Sequence, residues 1–133
     1  MSFTRNFLAS ACLAAMAAIS PAHAQYSPDV TKCMNDPQQF TPEVMITTCN
    51  ALVKSGQWTG KDAAWLYNNI GKGYFLEGDY QNALTSYNQA LNLDPNDAYA
   101  YCGRGLTKNK ITADSGGDDI AQARKLNPNL CNG

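Results

Sequence analysis

The sequence predicts an all-α chain of antiparallel helix hairpins stacked into a short α-solenoid, and three observations predict it. Between Ala64 and Asp97, Tyr67, Ile70, Gly71 and Tyr74 fall at helical spacing. Glu77-Gly78-Asp79 interrupts them, and Ala83, Tyr87 and Ala90 resume before Pro95 closes the unit. The same marks return downstream at one shared interval, from Tyr67 to Tyr101 and from Gly71 to Gly105. Upstream, Ser27-Pro28-Asp29 and Thr41-Pro42-Glu43 each combine a capping residue, a proline suited to the first helical position and an acid that suits the helix dipole. About six helices are therefore expected once a leader is removed.

The leader is residues 1–24. Arg5 makes its start weakly positive, Phe7 to Ile19 is apolar, and Ala22-His23-Ala24 is an A-x-A cleavage site, which together read as a secretory signal peptide. The apolar run from Phe7 to Ile19 falls short of the roughly 20 residues that a spanning helix needs, so stable membrane insertion is not expected. Lipid attachment at Cys12 is disfavoured, because Ala9 stands three residues before it and the apolar run continues past it. Cleavage after Ala24 leaves a mature chain from Gln25 to Gly133, removes Cys12 and His23, and takes the net charge from −1 to −2 with the loss of Arg5. No basic surplus remains to attract nucleic acid.

Residues 25–62 form an N-terminal helical pair and a linker. The first helix is expected to reach about Asn35, where Asn35-Asp36-Pro37 breaks it. The second carries Val44, Ile46, Cys49, Leu52 and Val53 and ends at Ser55-Gly56. In the linker, Trp58 is expected to fold back onto the core and Asp62 to cap a helix starting at Ala63. In the unit 64–97, Gly71 and Ala83 are small where two helices approach to about 8–10 Å. Tyr67, Ile70 and Tyr74 face the partner helix, Tyr74 and Tyr87 fill the wedge, and Ala90 leaves room for the helix that follows. Asp94-Pro95-Asn96-Asp97 stops one helix and caps the next. Residues 98–131 repeat the unit more weakly. The steps from Ala90 to Ala123 and from Pro95 to Pro128 are each shorter by one than the step from Gly71 to Gly105. One position is therefore lost, and the turn Thr112 to Gly117 is the place for it. Gly116 or Gly117 then stands for Ala83, Arg104 for Ile70 and Lys108 for Tyr74.

The unit 64–97 resembles a tetratricopeptide repeat (TPR). Over about 34 residues that family's pattern runs aromatic, x2, Leu-Gly, x2, Tyr, then Ala, x3, Phe, then Ala and a late Pro. Tyr67 stands for the aromatic, Ile70 for Leu and Tyr87 for Phe. Residues 25–62 lack the Gly-x2-Tyr signature and read as a degenerate unit covering the apolar side of the clear repeat. The resemblance implies a concave face lined by the first helices of each hairpin, which receives a peptide or protein segment. On that face Asn68, Asn69, Lys72, Arg104 and Lys108 are the candidate partner-binding residues, since Asn and Lys suit extended backbone and carboxylate.

Four cysteines remain after cleavage, Cys33, Cys49, Cys102 and Cys131, which allow three disulfide connectivities. Spacing favours Cys33 with Cys49 and Cys102 with Cys131, each within one hairpin; the start of a hairpin's first helix lies level with the end of its second, which is where Cys102 and Cys131 fall. Loops of these lengths contribute about 3–4 kcal/mol each. That is material, because two repeats alone are usually too few for stability and no capping helix is expected after Pro128. The absence of a C-x-x-C spacing argues against a redox pair.

Without His23 the mature chain has no Ser-His or Cys-His dyad and no imidazole for a metal, and it has no GxxxxGK[ST] or GxGxxG loop. Asp114, Asp118 and Asp119 read as acids at a helix N-terminus. No catalytic, cofactor or metal site is expected, and the protein is not expected to be an enzyme. The expectation is an exported interaction or scaffold module, periplasmic or secreted in a Gram-negative bacterium, that binds a partner polypeptide. Two alternatives stay open. One is a structural oligomer with Tyr99, Tyr101 and Trp65 at its interface, and the other is a thiol-disulfide redox protein.

Overall fold

Side-chain caps open four of the six helices in this computed structural model, which describes residues 27–34 and 39–132. Helix α1 is Pro28–Met34, opened by Ser27, whose hydroxyl accepts from the Val30 N–H at 3.3 Å. Helix α2, Pro42–Ser55, is opened by Thr41, whose hydroxyl accepts from the Val44 N–H at 3.4 Å. Gly56 closes it at φ +67°, a left-handed conformation that glycine adopts without a Cβ penalty. The break expected at Asn35 to Pro37 and the signal peptide 1–24 lie outside the described residues.

A 3-10 turn, Gly60–Ala63, carries the chain into α3, Ala64–Glu77. Here the expected Asp62 cap is not formed. Ala63 already holds helical backbone angles and the Ala64 N–H bonds to the Lys61 carbonyl, so backbone satisfies the entry and Asp62 stays exposed. Helix α4, Tyr80–Leu93, is capped by Asp79 through the Asn82 N–H at 3.1 Å. Helix α5, Ala98–Ile111, is capped by Asp97, whose Oδ1 accepts from the N–H groups of Tyr99 and Ala100 at 2.9 and 3.1 Å. Helix α6 is Gly117–Leu126. Among the described residues the fold is all-helical, with these six helices, the 3-10 turn and no strand.

Each helix packs on the next in sequence, and α3 also touches both α1 and α5. The first helices of the three hairpins therefore form one continuous face, as a stack of helix pairs requires. The main core lies between α1, α2 and α3. It buries Val30, Cys33, Met45, Ile46, Cys49, Leu52, Leu66 and Ile70, with Tyr67 and Tyr74 packed against it. Ile70 and Tyr74 thus pack on the N-terminal pair as well as standing in the clear hairpin. Leu66, which the repeat spacing does not single out, is fully buried. A smaller cluster of Ala64, Ala90, Leu91 and Ala100 joins α3, α4 and α5.

Tyr87 is the wedge between repeats. A Cβ at Gly71 on α3 would meet its ring at 2.9 Å, and a Cβ at Gly103 on α5 would collide with the same ring. In the second hairpin the contact is backbone on backbone, because a Cβ at Gly116 would overlap the Gly105 carbonyl. Gly116, not Gly117, is therefore the counterpart of Ala83. Gly117 is exposed with open space at its Cβ position. Asn109 Oδ1 accepts from the Gly116 N–H at 2.7 Å and fixes this turn.

Both cysteine pairs lie at disulfide distance, Cys33 with Cys49 at a Cα separation of 4.8 Å and Cys102 with Cys131 at 5.8 Å. The first is sealed in the core, where both residues are 0% exposed. The second draws the turn after α6 back onto α5, at the end of the stack where no further helix follows among the described residues.

Candidate functional site

The row of first helices encloses one face of a groove of about 630 Å³. Val30 and Met34 come from α1, Trp65, Asn68, Asn69 and Lys72 from α3, and Tyr99, Cys102 and Gly103 from α5. Trp58 reaches in from the linker and Tyr87 from α4. Helical register explains the membership. Trp65, Asn69 and Lys72 are four and then three positions apart, so they share one face of α3. Tyr99 and Gly103 occupy the first two of these positions in the next repeat. Leu76 and Leu106 continue the two rows and are 55% and 44% exposed.

Apolar and aromatic groups thus dominate the face. Trp58 does fold back, packing edge-on against Trp65 with ring centroids 5.4 Å apart and planes at 88°. The same contact sets both indoles into the groove wall. Tyr99 remains 64% exposed. Burial pushes the Tyr87 phenol well above its ordinary range, so it enters the groove wall as a neutral group.

The five residues expected on a binding face divide into three sets. Asn68 donates to Asp97 Oδ2 at 2.6 Å and ties α3 to the cap of α5, while its own Oδ1 is buried without a hydrogen-bond partner. Asn69 donates to the Trp65 carbonyl of its own helix at 2.9 Å, and its Oδ1 takes no hydrogen bond from the described residues. Lys72 lines the groove half-buried, and among the described residues no carboxylate lies within salt-bridge distance of it. Asn69 and Lys72 therefore present polar atoms to the groove, one acceptor and one cation.

Arg104 and Lys108 are placed elsewhere, converging on Asp119 of α6. Arg104 donates through Nε and Nη2 to the two carboxylate oxygens at 2.8 and 2.7 Å, and Lys108 Nζ lies 2.8 Å from Oδ2. Arg104 also donates to Asn88 Oδ1 at 2.8 Å and lies over the Tyr101 ring. The Asp119 side chain is only 8% exposed. Burial pushes its carboxyl up, and the hydrogen bonds and charges of Arg104 and Lys108 outweigh that, holding it below the usual carboxylate range. Where the first hairpin places Ile70 and Tyr74, the second places Arg104 and Lys108, and their charge is met inside the hairpin. Asp119 is thus a structural counter-ion, not simply an acid at a helix N-terminus. Its complement was present in the sequence as the two cations facing it from the helix before.

Residues 71–110 match the family model described as TPR repeat. The match runs from the α3 glycine that meets Tyr87, through α4, to the last turn of α5. It supports the family that the repeat spacing resembles, and the six-helix stack has the TPR-like fold class. No curated protein matches the chain. Repeats of this kind serve in general as protein interaction modules and not as catalysts. None of the described helices is long and apolar enough to cross a membrane, and the two cysteine pairs fit an oxidising compartment.

Proposed function

We propose that the protein is exported, matures at Gln25, and holds a segment of a partner polypeptide in the groove formed by α1, α3 and α5. The observation that carries this reading is Lys72, a half-buried cation without an anionic partner among the described residues, set among Trp58, Trp65, Tyr87, Tyr99, Met34 and Val30. Taking a lysine partly out of water without a counter-ion is unfavourable. A bound carboxylate supplies the missing charge, while apolar side chains of the same segment cover the aromatics. The Asn69 Oδ1 is available to a backbone N–H of the bound chain. Arg104 and Lys108 take no part, since Asp119 and Asn88 occupy their donors.

Residues 1–24 act as the signal peptide, 25–62 as a degenerate first unit, 64–97 as the full repeat and 98–131 as a degenerate second repeat. The destination is the periplasm or the medium of a Gram-negative cell. N-terminal sequencing of the envelope fraction is expected to begin at Gln25. Recovery of Met1, or of an acylated Cys12, would contradict export by this route.

The binding test is selection of a displayed random-peptide library on the mature, oxidised protein. Selected peptides are expected to combine apolar residues with a carboxylate and to lose about 10-fold in affinity on Lys72→Ala, the order of one charge-assisted hydrogen bond. Peptides whose affinity ignores Lys72→Ala and Asn69→Ala together would place binding on another face.

A further inference from the structure

The two disulfides of this chain differ in burial and in how their ends are held. Cys33 and Cys49 are 0% exposed, within the core shared by α1, α2 and α3. Cys102 and Cys131 are each half-buried, and Cys102 forms part of the groove wall, open to anything small enough to enter. Their mechanical settings differ as well. Cys33 lies on α1 and Cys49 on α2, and both are packed among buried residues of the main core. Cys131 lies on a turn whose hydrogen bonds are all local. Arg124 Nη2 donates to the Cys131 carbonyl at 2.6 Å, Asn132 Nδ2 to the Pro128 carbonyl at 2.9 Å, and the Leu130 N–H to the Asn127 carbonyl at 3.1 Å. None of these reaches α5, so the disulfide is the bond that fastens residues 128–132 to that helix.

We propose that Cys102–Cys131 is a thiol-exchange site, opened by a small dithiol while Cys33–Cys49 stays closed, and that its opening unlatches the C-terminal turn from α5. This rests on burial and bonding alone and holds whether or not the groove binds a polypeptide. A thiolate of the dithiol attacks Cys102 Sγ, a mixed disulfide forms there, and the Cys102–Cys131 bond breaks to expel Cys131 as a thiolate, which takes a proton from water. The second thiolate of the reagent then attacks its own sulfur in the mixed disulfide, closing a cyclic disulfide and releasing the Cys102 thiolate. Two electrons pass from the dithiol to the cystine.

Opening stays local because the α5·α6 hairpin has other ties. Arg104 and Lys108 on α5 still hold Asp119 on α6, and Gly105 still meets Gly116. What is released is the turn covering the last hairpin, a low-stability unit once its covalent anchor is gone.

The test treats mature, oxidised protein with dithiothreitol in native buffer, quenches aliquots with N-ethylmaleimide and maps the labelled peptides. Cys102 and Cys131 are expected to label at least about 10-fold faster than Cys33 and Cys49, with the helical circular dichroism unchanged, as accessibility control of exchange requires. Hydrogen exchange is expected to rise in residues 127–132 and not in 64–97. Labelling of all four cysteines together, labelling of Cys33 and Cys49 first, or loss of helicity in step with Cys102 labelling would each overturn the proposal. The double variant Cys102→Ser, Cys131→Ser provides a second reading. Its turn should exchange fast under oxidising conditions, and a turn as protected as in the oxidised parent would refute the latch.

Discussion

Asn68 donates a 2.6 Å hydrogen bond to Asp97, 29 residues ahead, and that separation is the same as between Cys102 and Cys131. Asn68 and Cys102 hold equivalent places on α3 and α5, one repeat apart. In the first repeat the partner is the cap of the next first helix, because Asp97 Oδ1 also accepts from Tyr99 and Ala100. In the second repeat no helix follows among the described residues, and Cys131 stands one residue past Leu130, the counterpart of that cap. The contact that hands the stack on to its next repeat has, at the last described repeat, a covalent counterpart.

Asp97→Ala is expected to destabilise more than Asn68→Ala. The first removes a helix cap worth about 1 kcal/mol and also strands the Asn68 amide, for a total of roughly 2–3 kcal/mol. The second removes a donor but also the buried Oδ1 that has no partner, so its effect is smaller. Urea denaturation of the two variants measures the difference, and an Asn68→Ala effect equal to or larger than that of Asp97→Ala would show that the cap is not the shared element.

Gly71→Leu is expected to lower stability by about 1–3 kcal/mol or more, because a side chain there meets the Tyr87 ring. Gly103→Ala should act in the same direction, since it presses on the same ring from α5. Lys72→Ala, next in sequence to Gly71 but turned toward the groove, should stay within about 0.5 kcal/mol of the parent. Thermal melts of the three variants check this, and a Gly71→Leu protein that melts like the parent would contradict the packing at Tyr87.

Asp119 sets an acid limit. Its carboxyl titrates below the ordinary range in the folded chain, so its stabilisation is complete above the unfolded value of about 3.9 and is lost as pH falls through the folded value. Asp119→Asn is expected to be less stable at neutral pH by about 1–3 kcal/mol, leaving Arg104 and Lys108 without their counter-ion. Its deficit should shrink as pH falls below about 4. Denaturation of parent and variant across the acid range measures this, and a deficit that stays constant with pH would remove Asp119 from the role.

Much of the fold was legible because its signals are local. Thr41, Asp97 and Gly56 sit at helix ends whose hydrogen bonds run to neighbours in sequence. Gly71 and Tyr87 lie at separations that recur. The pairing of Cys102 with Cys131 followed from which helix ends lie level, and that of Cys33 with Cys49 from their nearness within one hairpin. The Asp62 cap failed for a local reason too, since a 3-10 turn offers the backbone its own partners. The candidate site was half legible. Asn69 and Lys72 line the groove, where helical register put them, whereas Arg104 and Lys108 pair with Asp119, which belongs to the next helix and faces them only once the α5–α6 turn has closed. Trp58 was read as a core residue and is also groove wall, a double role set by how the linker crosses α3.

The central claim is that the concave groove is where the partner sits, and the chain contains its own reporter. Its two tryptophans, Trp58 and Trp65, both line that groove. Titration of the mature, oxidised protein with a selected carboxylate-bearing peptide is therefore expected to shift tryptophan emission to saturation in the parent, with a midpoint about 10-fold higher in Lys72→Ala. Binding by calorimetry without any change in tryptophan emission, or with the same midpoint in both proteins, would contradict the groove as the binding site.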